Sequence, residues 1–197
     1  MNYPTFFQNT PSITLRDPLS NFLGTFEDGL VEFSYLDVVK SAGHSCPTVA
    51  GAYISTVKGI EALYGDEIPT RGGIKVSIKD DSLEGVTGVI ANVITQITGA
   101  TELTGFKGIN GNFARNNLMS FNADIDAQIT FTRLDSGKTV KVSYNPSSVQ
   151  GDPKQQLLMG KIMQGQATPE DKKEFGILWQ KRVEAIFDHI DDVIIVK

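Results

Sequence analysis

The sequence predicts an α+β fold in which helices pack on a mostly antiparallel sheet. Apolar residues recur at helical spacing in segments that end at glycine, whereas alternating apolar and polar residues indicate a strand near 74–78 and a hairpin near 128–144. These elements do not follow the regular strand–helix–strand rhythm of a parallel sheet, and this order favours α+β over α/β. A chain of 197 residues is long enough to bury one sizeable core.

Residues 1–33 are predicted to form an irregular N-terminal arm. The segment shows no helical or strand period and contains three prolines. Four phenylalanines lie among them: Phe6, Phe7, Phe22 and Phe26. Because so much exposed aromatic surface promotes association, we expect the arm to pack on its own domain or on a partner.

Residues 34–150 are predicted to form the core of the domain. Its first part, SYLDVVKSAG at 34–43, indicates a short helix that ends at Gly43. Pro47 suits the first position of the next helix, where its missing N–H needs no acceptor. That helix is predicted to end at Gly65, with one apolar stripe: Val49, Tyr53, Val57, Ile60 and Tyr64.

The rest of the core combines strands with one more helix. GGIKVSIKD alternates as a half-buried strand does, and apolar residues from Val86 to Ile97 predict a helix that stops at Gly99. QITFTRLDSGKTVKVSY is a predicted hairpin with its turn at 135–137. Residues 151–197 are predicted to be a helical extension of the same domain, in which Thr168 caps the main helix before a short closing strand.

The composition argues against nucleic-acid and membrane partners. The net charge is −5, and the basic residues are scattered rather than clustered in a patch. No segment approaches the ~18 apolar residues that span a bilayer, and residues 1–17 lack the pattern of a signal peptide. A single cysteine allows neither an internal disulfide nor a cysteine-based zinc finger, so we expect a reducing, cytoplasmic location. No nucleotide-binding motif is present.

The most informative segment is SAGHSCPTVAGAY at 41–53, which contains the one cysteine and one of the two histidines. Cys46 lies where a helix is predicted to begin, and the free N–H groups there favour the thiolate form. His44 is close enough in sequence to share a metal ion with the sulfur, or to pair with the thiolate as a base or cation. A purely structural role is the alternative, with Cys46 as a small buried residue and His44 as a cap.

The block G-H-S-C-P at 43–47 resembles the G-H-x-C-P block of the formylmethanofuran dehydrogenase E-type accessory family. The similarity continues in order through I-T-G-A-T at 97–101, G-F-K-G-I-N-G-N at 105–112 and S-G-K-T-V-K-V at 136–142. It therefore spans residues 35–145. The resemblance implies an α+β core domain, often built as an intertwined dimer, and in some members a C-terminal zinc finger.

The chain departs from the family pattern at three points. Thr48 stands where a glycine often follows the C-P pair, Ala100 replaces a second cysteine, and the tail is helical without a zinc finger. A Cys-His-Cys site therefore cannot form. We expect a divalent transition metal, zinc above all, to rest on His44 and Cys46, with further ligands from water, a carboxylate or a second chain. Such an open coordination position is typical of catalytic or sensing sites.

A glycine-rich loop, GFKGINGNFAR at 105–115, is the second candidate site. Its backbone N–H groups, together with Lys107 and Arg115, suit a small anionic substrate. The loop follows a helix and matches no phosphate-binding motif, so a simple turn-rich connection is the alternative. If the resemblance to the family holds, the loop lies near the Cys46 helix.

These features support three functional hypotheses. The first is a metal-binding accessory protein or small metalloprotein of one-carbon or redox metabolism, with His44 and Cys46 as ligands. The second is a metal-free thiol enzyme or redox sensor in which Cys46 and His44 are the catalytic residues. The third is a non-catalytic interaction protein that works through the arm and the tail. We also expect a homodimer whose arm crosses to the other chain, the alternative being an arm folded on its own domain.

Overall fold

The computed structural model describes residues 2–197 and confirms the α+β class. Its strands are β1 (Ile13–Arg16), β2 (Leu30–Phe33), β3 (Ile74–Ile78), β4 (Met119–Ser120), β5 (Ile129–Arg133), β6 (Thr139–Tyr144) and β7 (Ile194–Val196). Its helices are α1 (Pro18–Phe22), α2 (Tyr35–Ala42), α3 (Pro47–Tyr64), α4 (Thr87–Thr98), α5 (Lys154–Met163), α6 (Pro169–Asp188) and α7 (Ile190–Val193). Short 3₁₀ turns lie at Thr5–Asn9, Glu27–Gly29 and Pro146–Ser148.

The main sheet has the strand order β4-β3-β5-β6-β7. Only the short β3–β4 pair is parallel, and the other three pairs are antiparallel. Helix α3 lies across this sheet and also contacts α2, α4 and α6, so it is buried along most of its length. Gly59 permits the close approach, because a Cβ there would lie 2.6 Å from the ring of Phe131 on β5.

The helix boundaries follow the local capping signals. Ser34 and Asp37 form a capping box at the start of α2, and the helix ends at Gly43 in the left-handed conformation. Gly99 ends α4 in the same way. A second capping box, from Thr168 and Asp171, opens α6. These predicted boundaries are confirmed because each depends on residues that are close in sequence.

The N-terminal segment is more ordered than the sequence indicated. Strands β1 and β2 form an antiparallel hairpin with α1 between them, and four-residue strands are too short to show a clear period. Phe6 and Phe7 are buried in the same chain, where the ring of Phe7 packs edge-on against Tyr35 at a centroid distance of 5.0 Å. The first part of the arm therefore packs on its own domain.

The C-terminal extension contributes to the same core. Strand β7 pairs with β6, with Val196 opposite Val142, and so extends the main sheet. Val183 and Ile186 of α6 are fully buried. No helix within residues 2–197 has the length and apolar character needed to cross a membrane.

Candidate functional site

Cys46 is the N-terminal cap of α3. Its Sγ accepts a hydrogen bond from the backbone N–H of Val49 at 3.4 Å, the position usually occupied by a serine or aspartate oxygen. Pro47 follows as the first helical residue, as predicted. The side chain is half-buried, so the sulfur is held by the helix end and is still reachable.

His44 lies on the exposed loop before the cap. Its Nδ1 is 3.0 Å from the carbonyl oxygen of Ala42. Because a carbonyl can only accept, Nδ1 carries the proton in this hydrogen bond, and in the neutral ring Nε2 keeps a free lone pair. The ring thus presents one nitrogen that can bind a metal ion or accept a proton.

Ser45, between the two candidate ligands, is held by residues from distant parts of the chain. Its carbonyl oxygen accepts hydrogen bonds from Trp179 Nε1 and Gln180 Nε2, each at 3.1 Å. Its hydroxyl donates to Gln180 Oε1 at 2.9 Å and lies 2.9 Å from the hydroxyl of Tyr35. Helices α2 and α6 therefore fix the loop at the residue that separates His44 from Cys46.

Two tyrosines complete the surroundings of the loop. The hydroxyl of Tyr144 donates to the carbonyl oxygen of Pro47 at 2.9 Å, and its ring lies against Gly51 on the first turns of α3. Burial raises the pKa of Tyr144 and of Tyr35 above the ordinary value. Both hydroxyls are therefore protonated near neutral pH and act as structural hydrogen-bond groups.

Within residues 2–197, no hydrogen bond joins Cys46 to His44, and no group of three or more His, Cys, Asp or Glu side chains is arranged to hold a metal ion. His44 lies on the wall of an open groove of about 460 Å³ between α2 and α4. The polar residues of that groove are Ser41, Asn92, Thr95 and Gln96, and none is acidic. The described part of the chain thus offers two candidate ligands and no third.

The predicted anion site has a different environment for each of its cations. Lys107 is exposed, whereas Arg115 is buried with its Nη2 2.6 Å from Asp17 Oδ1. Arg71 Nη1 lies 2.9 Å from the other oxygen of Asp17. Burial disfavours ionisation of Asp17, but the hydrogen bond from Arg71 and the charge of Arg115 outweigh it, and the pKa of Asp17 lies below its ordinary value. Anion binding by the loop stays a prediction.

Sequence reasoning missed the residues that position the site. Trp179 fits the buried stripe of α6, and Gln180 gives no signal, because a hydrogen bond to a residue 135 positions away leaves no local pattern. Asp17 carries a usable signal, since an aspartate before a proline is typical of a helix N-terminus. The second histidine, His189, lies elsewhere and pairs with Asp192 at 3.2 Å.

No protein-family model and no curated protein matches the sequence significantly.

Proposed function

We propose that this chain is a metal-binding protein that takes a divalent transition-metal ion, zinc above all, through Nε2 of His44 and Sγ of Cys46. It would serve as an accessory protein or small metalloprotein of one-carbon or redox metabolism, as the resemblance to the formylmethanofuran dehydrogenase E-type accessory family implies. The site belongs to the loop between α2 and α3.

The observation that carries this proposal is the hydrogen bond from His44 Nδ1 to the carbonyl oxygen of Ala42. Histidines that bind metals almost always donate their other ring N–H to a carbonyl or carboxylate, which fixes the tautomer and the ring orientation. His44 has this arrangement on a loop that Trp179 and Gln180 hold at Ser45. Preorganisation of this kind reduces the entropic cost of binding.

The residues present fit part of a zinc site. Imidazole nitrogen and thiolate sulfur are preferred zinc ligands, and a tetrahedral site needs four in all. The remaining two would come from water or from a second chain. A bound zinc ion supplies Lewis-acid chemistry and lowers the pKa of a bound water. The part of this chain is to hold the ion through His44 and Cys46 and to keep the loop in place.

Cobalt(II) titration of protein purified without a histidine tag tests the proposal. Cobalt substitutes for zinc, and its bond to a thiolate gives an intense charge-transfer absorption. We expect this absorption in the wild type, and we expect it to disappear in Cys46→Ser and to weaken strongly in His44→Ala. His189→Ala is the matched control, because it removes the other histidine, and it should bind as the wild type does. Equal spectra from all four proteins would refute the metal site.

A metal-free thiol function is the second candidate, favoured by the accessibility of a sulfur whose one hydrogen bond comes from a helix N–H. Cys46 is the single cysteine, so alkylation with iodoacetamide reports on it alone. Under the metal proposal, zinc slows this alkylation in the wild type and has little effect in His44→Ala. Rapid alkylation that zinc does not change would favour the thiol function.

A further inference from the structure

A second site lies on the opposite side of Tyr144 from the loop, in a pocket of about 300 Å³. Helix α3 forms one wall with four residues at helical spacing: Thr48, Gly51, Ala52 and Ser55. The start of α4 and the ends of β3, β5 and β6 form the rest. Because these four residues are small, the helix wall leaves room between itself and the sheet.

The walls of the pocket are mainly apolar and well held. Ile78, Ile90 and Ile129 line it together with the ring of Tyr144. Gln128 fixes the rim, since its Oε1 accepts from the backbone N–H of Tyr144 at 2.9 Å and its Nε2 donates to the carbonyl oxygen of the same residue at 3.2 Å. The shape is therefore present before any ligand arrives, as is usual for small-molecule sites.

Ser55 supplies the one buried polar group that the fold leaves unpaired among the described residues lining this pocket. The residue is 1% exposed, and its hydroxyl has no hydrogen-bond partner within residues 2–197. The neighbouring Thr56 bonds to the carbonyl oxygen of Ala52 at 2.7 Å, so hydroxyls on this helix can be satisfied internally. A buried hydroxyl without a partner is unfavourable for folding and is expected where a ligand completes it.

The mouth of the pocket is negatively charged. Asp80 and Glu84 line it, and both residues are exposed. Neither carboxylate forms an ion pair or hydrogen bond with the side chains of residues 2–197, and no lysine or arginine of that range lines the pocket. A cation at the mouth would therefore meet two unpaired carboxylates.

We propose that this pocket binds a small organic ammonium compound. The ammonium group would lie at the mouth beside Asp80 and Glu84, the apolar body would contact the three isoleucines and Tyr144, and a hydroxyl at the far end would hydrogen-bond to Ser55. The pocket volume is at the lower end of the range for ligand sites, so the body is no larger than about one ring. The site is separate from Cys46 and His44 and does not depend on metal binding.

Three commercial compounds separate the contributions of the two ends. Tyramine has the ammonium group and the far hydroxyl, phenethylamine lacks the hydroxyl, and 3-(4-hydroxyphenyl)propanoate replaces the ammonium with a carboxylate. We expect tyramine to bind about fivefold to tenfold more tightly than phenethylamine, the ratio expected for one hydrogen bond. The propanoate should bind least, because its charge is repelled at the mouth. Titration calorimetry and chemical shifts of the amides that line the pocket measure both affinity and location.

Ser55→Ala should abolish the preference for tyramine over phenethylamine while raising the midpoint of thermal unfolding. A purely structural serine would instead lower that midpoint. Asp80→Asn with Glu84→Gln should weaken both amines about fivefold. Asp66→Asn with Glu102→Gln is the matched control, because it removes the same charge from exposed positions outside the pocket. The proposal fails if no amine binds at millimolar concentration, if Ser55→Ala lowers the midpoint, or if the two double variants bind amines equally.

Discussion

The indole Nε1 of Trp179 donates a hydrogen bond to the carbonyl oxygen of Ser45 at 3.1 Å, across 134 positions of sequence. This bond ties the long C-terminal helix to the loop that carries His44 and Cys46. The helical tail is therefore part of what holds the candidate metal site. The conformation of the loop depends on α6 as much as on the helices that flank it.

Trp179→Phe should loosen this loop while keeping most of the packing of α6. Loss of one hydrogen bond that leaves a half-buried carbonyl without one of its two partners should lower the free energy of unfolding by about 1 kcal/mol. Urea denaturation measures this change, and the rate of native-state alkylation of Cys46 should rise. Glu184→Gln, an exposed change on the same helix, should alter neither quantity. An unchanged alkylation rate in Trp179→Phe would show that the bond does not restrain the loop.

Asp17→Asn should be strongly destabilising at neutral pH. The side chains of Asp17 and Arg115 are each 8% exposed, and the substitution leaves a buried guanidinium without its counter-charge. Removal of one partner from a buried pair typically costs about 3–5 kcal/mol. Asp126→Asn, which disrupts an exposed pair with Lys141, should change stability little. A small effect of Asp17→Asn would mean that the pair is dispensable.

The same carboxylate should make stability sensitive to acid. The pKa of Asp17 is lower in the folded chain than the ordinary value of about 3.9. Its stabilising contribution is therefore complete above that value and is lost as the pH falls through the folded pKa. Unfolding free energies measured between pH 7 and pH 2 should converge for wild type and Asp17→Asn at the acid end. A constant difference across this range would contradict the assignment.

Gly51→Ala should destabilise the domain although alanine favours helices. A Cβ on Gly51 would overlap the ring of Tyr144, and overpacking of this kind typically costs about 1–3 kcal/mol. Gly176→Ala in α6 is the matched control, because no heavy atom lies within 4 Å of its Cβ position, and it should be stabilising by about 0.5–1 kcal/mol. Tyr144→Leu should recover part of the loss in the double variant. Thermal unfolding distinguishes these outcomes, and equal effects of the two glycine changes would exclude the overlap.

Homodimer formation stays a prediction, and the structure narrows the surface that could form it. Phe22 and Leu23 are 63% and 61% exposed at the end of α1, whereas Phe6 and Phe7 are already buried in their own chain. We expect light scattering at micromolar concentration to give a dimer mass, and Phe22→Ser with Leu23→Ser to give a monomer. Leu83→Ser is the control, since that residue is 93% exposed outside this segment. A monomer mass for the wild type would end the dimer hypothesis.

Local signals in the sequence determined most of the helices and strands. Capping residues, prolines and glycines located the ends of α2, α3, α4 and α6, and alternation located β3 and the β5–β6 hairpin. Each of these features depends on residues within a few positions of one another, so the pattern is visible without knowledge of the chain path. The same reasoning placed Cys46 at the start of a helix.

Only the tertiary structure decided which distant residues meet. Asp17 lies 98 positions from Arg115, and Trp179 lies on a helix that no local pattern connects to Ser45. Likewise, the unpaired hydroxyl of Ser55 becomes meaningful only where α3, α4 and the sheet enclose a pocket. Burial and pairing depend on how elements pack, and a serine or arginine in a periodic segment has the same local pattern whether its partner is water, another side chain or a ligand.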